Sequence, residues 1–312
     1  MSASASLPIV AVGDLVWDVL VKPDGILLPG GDTTGQIRLA PGGSAANVAA
    51  WVARCGMPAG FVGAVGRDVF GDLIVDNLAA EGVQMHIHRT TARDTGVILV
   101  LIDRAGQRSM VTNQGADFQL LPEDLPEDAL RATRHVHITG WSLFTDPPRA
   151  AAIRAAQIAK AAGATVSFDP ASYQMIRELG HDKFARAIAG LPVDILFPNR
   201  DEGEALTGER APEAMARELR AMYPGAIVAL KLDSEGCFVA ADGHEQHYPT
   251  GQVTVVDTTG AGDAFNGAFL ARYLRDGDLA AAARFANRVA GWVVAREGAR
   301  PPIDEELKHL LV

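Results

Sequence analysis

The segment with the most chemical potential is DTTGAGDAFNG, at residues 257–267. A strand-like stretch at residues 253–256 leads into it, and a helical pattern begins near Gly260. Gly260 and Gly262 leave backbone N–H groups uncovered where this helix starts, and both the unpaired donors and the helix dipole favour negative charge there. The segment therefore predicts an anion site of the kind that holds a phosphate group.

Asp263 lies in the first turn of the same helix. A carboxylate beside a bound phosphate would repel it, so this residue needs a task other than binding the phosphate. It can accept the proton of an attacking hydroxyl, which is what the catalytic aspartate of protein kinases does. On this segment alone, a routine helix-start carboxylate is the alternative.

Two common nucleotide motifs are missing from the sequence. No GxxxxGK[ST] pattern occurs, and Phe265 stands at the last position of an incomplete GxGxxG. The sequence therefore favours neither a P-loop enzyme nor a dinucleotide-binding enzyme.

The elements that must position these residues alternate between strand-like and helix-like segments. This alternation predicts βαβ units, a mainly parallel sheet and ligand sites beyond the carboxyl ends of its strands. One predicted helix covers residues 173–189. Residues 14–40 and 95–113 interrupt the alternation with extended patches and a hairpin, so they predict a small accessory sheet that acts as a lid, or an ordinary extension of the main sheet.

Composition limits the class of protein. The chain has 312 residues, of which 48% are hydrophobic and 21% charged, as in one large α/β domain or two small ones. A net charge of −10 without a basic run argues against nucleic-acid and membrane-surface partners. The two cysteines, Cys55 and Cys237, form no metal or disulfide pattern. Because no signal-peptide pattern and no membrane-length apolar run occurs, the expected location is the cytoplasm.

Together with PGGSAANVA at residues 41–49 and NRDE at residues 199–202, the glycine-rich segment resembles the signatures of the ribokinase-like (PfkB) sugar kinases. The motifs occur in the family's order, and the resemblance covers nearly the whole chain. It implies one kinase domain over residues 1–312, with a three-layer α/β/α fold, a mainly parallel central sheet and a small β-sheet lid. It also implies an enzyme that uses ATP and Mg²⁺ to phosphorylate a hydroxyl of a sugar-like molecule.

The resemblance assigns the acceptor side of the site, with Asp263 as the catalytic base. The anion hole is implied to consist of the amides of Thr259, Gly260, Ala261 and Gly262. The residues implied to contact the acceptor are Asp18, Gly42, Gly43, Asn47 and Arg108. Without the family, Asp18 also fits a solvated strand end, Asn47 a helix start and Arg108 a structural strand residue.

The nucleotide side is assigned by the same resemblance. Asn199 and Glu202 match an NxxE motif that positions Mg²⁺ mostly through water, and a capping pair at a helix start is the structural alternative. Asp257 matches a loop that binds a monovalent cation in ribokinases, which makes K⁺ a further candidate cofactor. The other residues implied to contact ATP are Lys231, Thr258, Thr259 and Asn287.

Two departures from the family leave the acceptor open. Ser44 stands where many members carry lysine, and Val16 stands where ribokinases carry asparagine, which weakens the case for ribose or a sugar phosphate. A nucleoside kinase, a 2-keto-3-deoxygluconate-type kinase with Arg108 facing a carboxylate, and a non-catalytic sensor are the alternatives. The expected partners are ATP and a small sugar-like molecule, with neither nucleic acid nor membrane, and a second copy of the chain paired through the lid.

Overall fold

The computed structural model describes residues 8–102 and 108–312. Nine strands of this part form one sheet, in the order β13-β12-β11-β10-β9-β8-β1-β4-β5. The strands are β1 (Ile9–Val12), β4 (Ala59–Gly66), β5 (Val83–Thr90), β8 (His135–Thr139), β9 (Thr165–Asp169), β10 (Ile195–Leu196), β11 (Ile227–Lys231), β12 (Cys237–Ala241) and β13 (His244–Tyr248). All neighbours are parallel except β11 with β12 and β12 with β13.

Helices cover both faces of this sheet because its strands alternate between two cores. Ile9 and Ala11 of β1 pack into one core, and Val10 and Val12 pack into the other. The first core includes residues of α1 (Ser44–Arg54), α2 (Val69–Ala80), α9 (Ala261–Asp276), α10 (Leu279–Val294) and α11 (Glu305–Leu311). The second includes residues of α3 (Glu127–Arg131), α4 (Pro148–Ala161), α5 (Tyr173–Leu179), α6 (His181–Ile188), α7 (Arg200–Thr207) and α8 (Pro212–Met222). The predicted three-layer α/β/α fold is confirmed.

A second, four-stranded sheet, the small sheet, has the order β3-β2-β6-β7. Its strands are β2 (Val16–Pro23), β3 (Gly35–Gly42), β6 (Val97–Ile102) and β7 (Arg108–Thr112). β2 is parallel to β6, and the other two pairs are antiparallel. The small sheet is thus built from the two segments that interrupt the α/β alternation of the sequence.

The carboxyl ends of the parallel strands meet at one edge of the large sheet. Asp14 follows β1, while Asp169 and Lys231 are the last residues of β9 and β11. Strand ends of parallel βαβ units must share an edge, so this placement follows from the topology. It brings polar side chains from distant parts of the chain to one region.

Two sequence-based expectations about elements are wrong. The helix expected over residues 173–189 is two helices, because Gly180 adopts a φ of 86°, which ends α5 before α6 begins. Residues 253–256 lie outside both sheets, although their β-branched composition predicts a strand. Val255 is 61% exposed, and the Val256 amide donates instead to the Val294 carbonyl of α10 (2.8 Å).

Helices α1 and α9 pack closely because Gly267 has no side chain. A Cβ at this position would lie 2.6 Å from the Trp51 Cβ and 3.0 Å from the Val48 carbonyl oxygen. The contact brings the first turns of the two helices together. A helix-interior glycine is otherwise unfavourable, so close packing is the reason for it here.

We expect Gly267→Ala to lower the free energy of unfolding by about 1–3 kcal/mol, because the added methyl overpacks this contact. Gly291→Ala in α10 is the matched control, since its Cβ would lie 3.7 Å from the nearest atom. That control should gain up to about 1 kcal/mol from helix propensity. Urea denaturation measures both, and equal effects of the two substitutions would contradict the packing argument.

Candidate active site

A cavity of about 430 Å³ lies between the sheet edge and the small sheet. The first turns of α1 and α9 contribute Ser44, Asn47 and Asp263 to its lining. The small sheet contributes Asp18 and apolar side chains. Asp117, Phe118 and Trp141 also line the cavity. Of the predicted site residues, those that line this cavity are Asp18, Gly43, Asn47, Thr259, Gly260 and Asp263.

Asp263 is held by side chains from α1. The Ser44 hydroxyl donates to Asp263 Oδ1 (2.7 Å), and the Asn47 amide nitrogen donates to Oδ2 (2.8 Å). Burial raises the pKa of Asp263 to about 6, although these two hydrogen bonds favour the ionised form. The carboxylate is therefore fixed in orientation, ionised at neutral pH and basic enough to take up a proton.

Asp14 is a site residue that the sequence reasoning missed. Its carboxylate accepts hydrogen bonds from the backbone amides of Ser44 (2.8 Å) and Ala45 (3.0 Å), which start α1. The N-cap residue, Gly43, has no side chain for this task, so a residue from the end of β1 supplies the cap. The signal was available, because Asp14 lies two residues after the buried strand β1, at the edge where ligands bind.

Asp18 projects from β2 into the cavity and is packed against Gly42. A Cβ on Gly42 would lie 2.5 Å from Asp18 Oδ1, so only glycine leaves room for the carboxylate. Burial raises the pKa of Asp18 to about 7, and the negative charge of Asp14 adds to the effect. Gly43 (φ 95°) is equally constrained, because a Cβ there would lie 2.4 Å from the Asp14 carbonyl oxygen.

The loop before α9 is tied down by Asp257. Its carboxylate accepts from the amides of Thr259 (2.7 Å) and Gly298 (2.9 Å). The Ala261 amide donates to the Thr258 carbonyl (3.3 Å). The Thr259 and Ala261 amides therefore have partners within the loop, and the anion hole expected from the amides of residues 259–262 stays a prediction. A K⁺ role for Asp257 and a nucleotide role for Thr258 stay predictions.

Lys231 lies next to this helix start. A Cβ built on Gly262 would be 3.4 Å from Lys231 Nζ. The ammonium contacts Asp169 Oδ2 (2.5 Å), and the Asn266 amide nitrogen donates to the same oxygen (2.5 Å). Burial opposes the charge, but the carboxylates of Asp169 and Glu202 raise the pKa of Lys231, so it stays cationic. Asp169 and Asn266 were not predicted, although Asp169 ends a strand at the ligand edge.

Asn199 and Glu202 form a capping box at the start of α7. Asn199 Oδ1 accepts from the Glu202 amide (2.8 Å), and Glu202 Oε2 accepts from the Asn199 amide (2.8 Å). The structural alternative that the sequence left open is thus present. Burial raises the pKa of Glu202 to about 8, with the Asp169 charge as a further cause. Its expected metal role stays a prediction.

Asn287 is a predicted site residue that does not line the cavity. Asn287 of α10 is buried, and its amide nitrogen donates to the Tyr248 carbonyl (2.8 Å). Arg108 begins β7, but its side chain lies outside the described residues. Their expected contacts with adenine and with the acceptor therefore stay predictions.

Ser44 also acquires a role that the sequence reasoning did not give it. The resemblance marks this position only as a departure from lysine, whereas the structure places its hydroxyl on Asp263. No pattern within residues 41–49 shows which distant carboxylate this serine meets, because the contact spans 219 residues. Only the packing of α1 on α9 creates it.

The three-layer α/β/α fold with a small sheet over the cavity is that of the ribokinase-like class of phosphotransferases. Residues 7–306 match the family described as pfkB family carbohydrate kinase. The chain belongs to this family and is a carbohydrate kinase.

In the part of the chain that the structure describes, no helix has the length and apolarity to cross a membrane.

Individual relatives agree with this assignment. The chain is 36% identical over 296 residues to an ATP-dependent ribose-1-phosphate kinase of Halopiger xanaduensis, covering 94% of this chain and 93% of the relative. It is 34% identical to a fructokinase of Klebsiella pneumoniae, covering 83% and 82% of the two chains. An Escherichia coli protein solved in complex with ATP and Mg²⁺ has 27% identity and a TM-score of 0.86, covering 98% and 99% of the two chains.

Proposed function

We propose that Asp263 is the general base of an ATP-dependent sugar kinase. The observation that carries this role is the position of its carboxylate, which lines the cavity and is held by Ser44 and Asn47. A hydroxyl placed against this carboxylate would lose its proton as it attacks the γ-phosphate of ATP. Because the two hydrogen bonds fix the carboxylate beforehand, little reorganisation is needed during the reaction.

The charge of the transferred phosphoryl group is stabilised at the start of α9. We propose that the amides of Gly260 and Gly262 face it, with the Lys231 ammonium beside them. The described residues contain no group of three or more acidic, His or Cys side chains that could hold a metal. Mg²⁺ would therefore be held mainly by ATP phosphates and water, with Glu202 close by, and would neutralise phosphate charge.

The cavity lining favours an uncharged acceptor with several hydroxyl groups. Among its described lining residues, none carries a positive charge, whereas Asp18, Asp117 and Asp263 carry carboxylates. Carboxylates accept hydrogen bonds from hydroxyl groups but repel a phosphate or a sugar acid. Phe118 and Trp141 add apolar surface that suits a sugar ring. The proposed acceptor is therefore a free sugar.

A sugar phosphate is the second candidate, on the strength of one unusual residue. The guanidinium of Arg300 is buried, and its three nitrogen atoms have no hydrogen-bond partner among the described residues. Burial lowers its pKa to about 10, and the charges that act on it are, in falling order, Glu81, Arg54, Asp18 and Asp263. The relative named as a ribose-1-phosphate kinase supports the same candidate.

The whole chain is proposed to act as one kinase domain, with residues 14–40 and 95–113 as its lid. The lid face turned away from the cavity is apolar, with Val19 paired to Leu39 and to Leu99, and Leu99 paired to Val111. Ile37 on the same face is 72% exposed and Val111 is 67% exposed. A second copy of the chain would cover this flat face through a symmetric contact.

Asp263→Asn should lower kcat by a factor of about 10²–10⁴, because the proton acceptor is lost. ATP binding should persist. ADP release measures turnover against ribose, fructose, other hexoses, ribose 1-phosphate and nucleosides, and calorimetry measures ATP binding. Asp276→Asn, at the other end of α9, is the control and should be active. Near-normal turnover by the Asp263 variant would contradict the assignment of the base, and an inert wild-type enzyme would contradict the proposed acceptor class.

Sedimentation equilibrium at micromolar concentration should show a dimer. Val111→Lys should dissociate it, because a charge would be buried in an apolar contact. Leu28→Lys is the control, since Leu28 is also exposed (63%) but lies in the loop between β2 and β3. A monomeric wild-type protein would refute the lid-mediated contact.

A further inference from the structure

Asp117 is an acidic side chain of the cavity whose surroundings have not yet been described. It lies in the 3-10 turn Ala116–Gln119, a few residues after β7. It lines the same cavity as Asp18 and Asp263. Asn113, between β7 and this turn, is already used, because its side-chain oxygen accepts from the Val97 amide (2.8 Å). Asp117 is therefore the polar group that this turn offers to a ligand.

The chain makes room for the Asp117 carboxylate with a glycine. A Cβ on Gly96 would lie 2.5 Å from Asp117 Oδ1 and 2.5 Å from the Val16 Cγ1. Gly115 is equally tight, because its Cβ would lie 2.4 Å from the Gly96 Cα. The arrangement repeats that of Asp18 and Gly42, where a glycine also admits a carboxylate to the cavity wall.

The carboxylate is poorly satisfied where it stands. Asp117 Oδ1 is sealed from solvent and has no hydrogen-bond partner among the described residues. Burial raises the pKa of Asp117 to about 7, and the Asp14 charge adds to this, while its own backbone amide and Arg93 act in the opposite direction. A buried carboxylate with an unpaired oxygen is destabilising, so a role in binding would account for its place in the cavity wall.

We infer that Asp117 is a specificity-determining residue that accepts a hydrogen bond from a second hydroxyl of the acceptor, one that is not phosphorylated. The inference rests on the proposed sugar-kinase function. Asp117 Oδ1 is sealed against Gly96, so Oδ2 is the oxygen left to accept this hydrogen bond. Asp263 then contacts the reacting hydroxyl, while Asp18 and Asp117 select the remaining hydroxyl pattern.

Asp117→Asn should weaken acceptor binding without lowering protein stability. The KM for the best acceptor should rise about tenfold or more, because a hydrogen bond to a charged group is lost, whereas the KM for ATP stays unchanged. The melting temperature at pH 8 should not fall, because an unpaired buried charge has been removed. Asp128→Asn is the control, since Asp128 in α3 is fully exposed. A lower melting temperature with an unchanged acceptor KM would assign Asp117 a structural role and overturn the inference.

Deoxy analogues of the best acceptor identify the hydroxyl concerned. One analogue should lose affinity for the wild-type enzyme but not for Asp117→Ala, because the interaction is already absent there. Equal losses for every analogue in both proteins would overturn the inference and leave the kinase function intact. If the wild-type enzyme binds no sugar at all, the proposed acceptor class fails and the inference fails with it.

Discussion

The hydrogen bonds from Ser44 and Asn47 to Asp263 are the interaction on which the site depends. They join the first turns of two helices whose contacting residues are 219 and 216 positions apart in the chain. Several other features hold these two helix starts in place. Gly267 lets the helices approach, Asp14 caps α1 from the end of β1, and Asp257 ties the loop before α9 to the Gly298 amide. A large parallel sheet is the scaffold that brings all of them to one edge.

The cavity gathers carboxylates at a cost in stability. Burial raises the pKa values of Asp18, Asp117 and Asp263 to about 7, 7 and 6. The folded protein therefore binds more protons at these groups than the unfolded chain does, and their contribution to stability falls as pH rises from about 4 to 7. Asp169 is different, because Lys231 and Asn266 satisfy it. An acceptor with several hydroxyl groups would supply hydrogen-bond donors to the cavity carboxylates.

The layered fold could be predicted from alternating segments, and the start of α9 from Gly260, Gly262 and Asp263. These signals are local, so one sequence carries them. Contacts between distant segments left no such signal: neither Ser44 on Asp263 nor Gly96 against Asp117 can be seen without the packing. The strand predicted at residues 253–256 is wrong for a related reason, because β propensity takes effect only where a neighbouring strand is available to pair with. For Asn199 and Glu202 the local signal was visible but ambiguous, since their spacing fits both a capping box and a metal motif.

The pH dependence of kcat in the wild-type enzyme and in Ser44→Ala tests the central claim most directly. Asp263 must be ionised to accept a proton, and its pKa is raised to about 6, so wild-type kcat should fall as pH drops below about 6. The Ser44 hydrogen bond lowers this pKa, so its removal should move the acid limb to higher pH by up to about one unit. Ser142→Ala, at another hydroxyl of the cavity lining, should leave the limb in place. A wild-type profile that stays flat from pH 5 to 7, or an acid limb that Ser44→Ala does not move, would contradict the account.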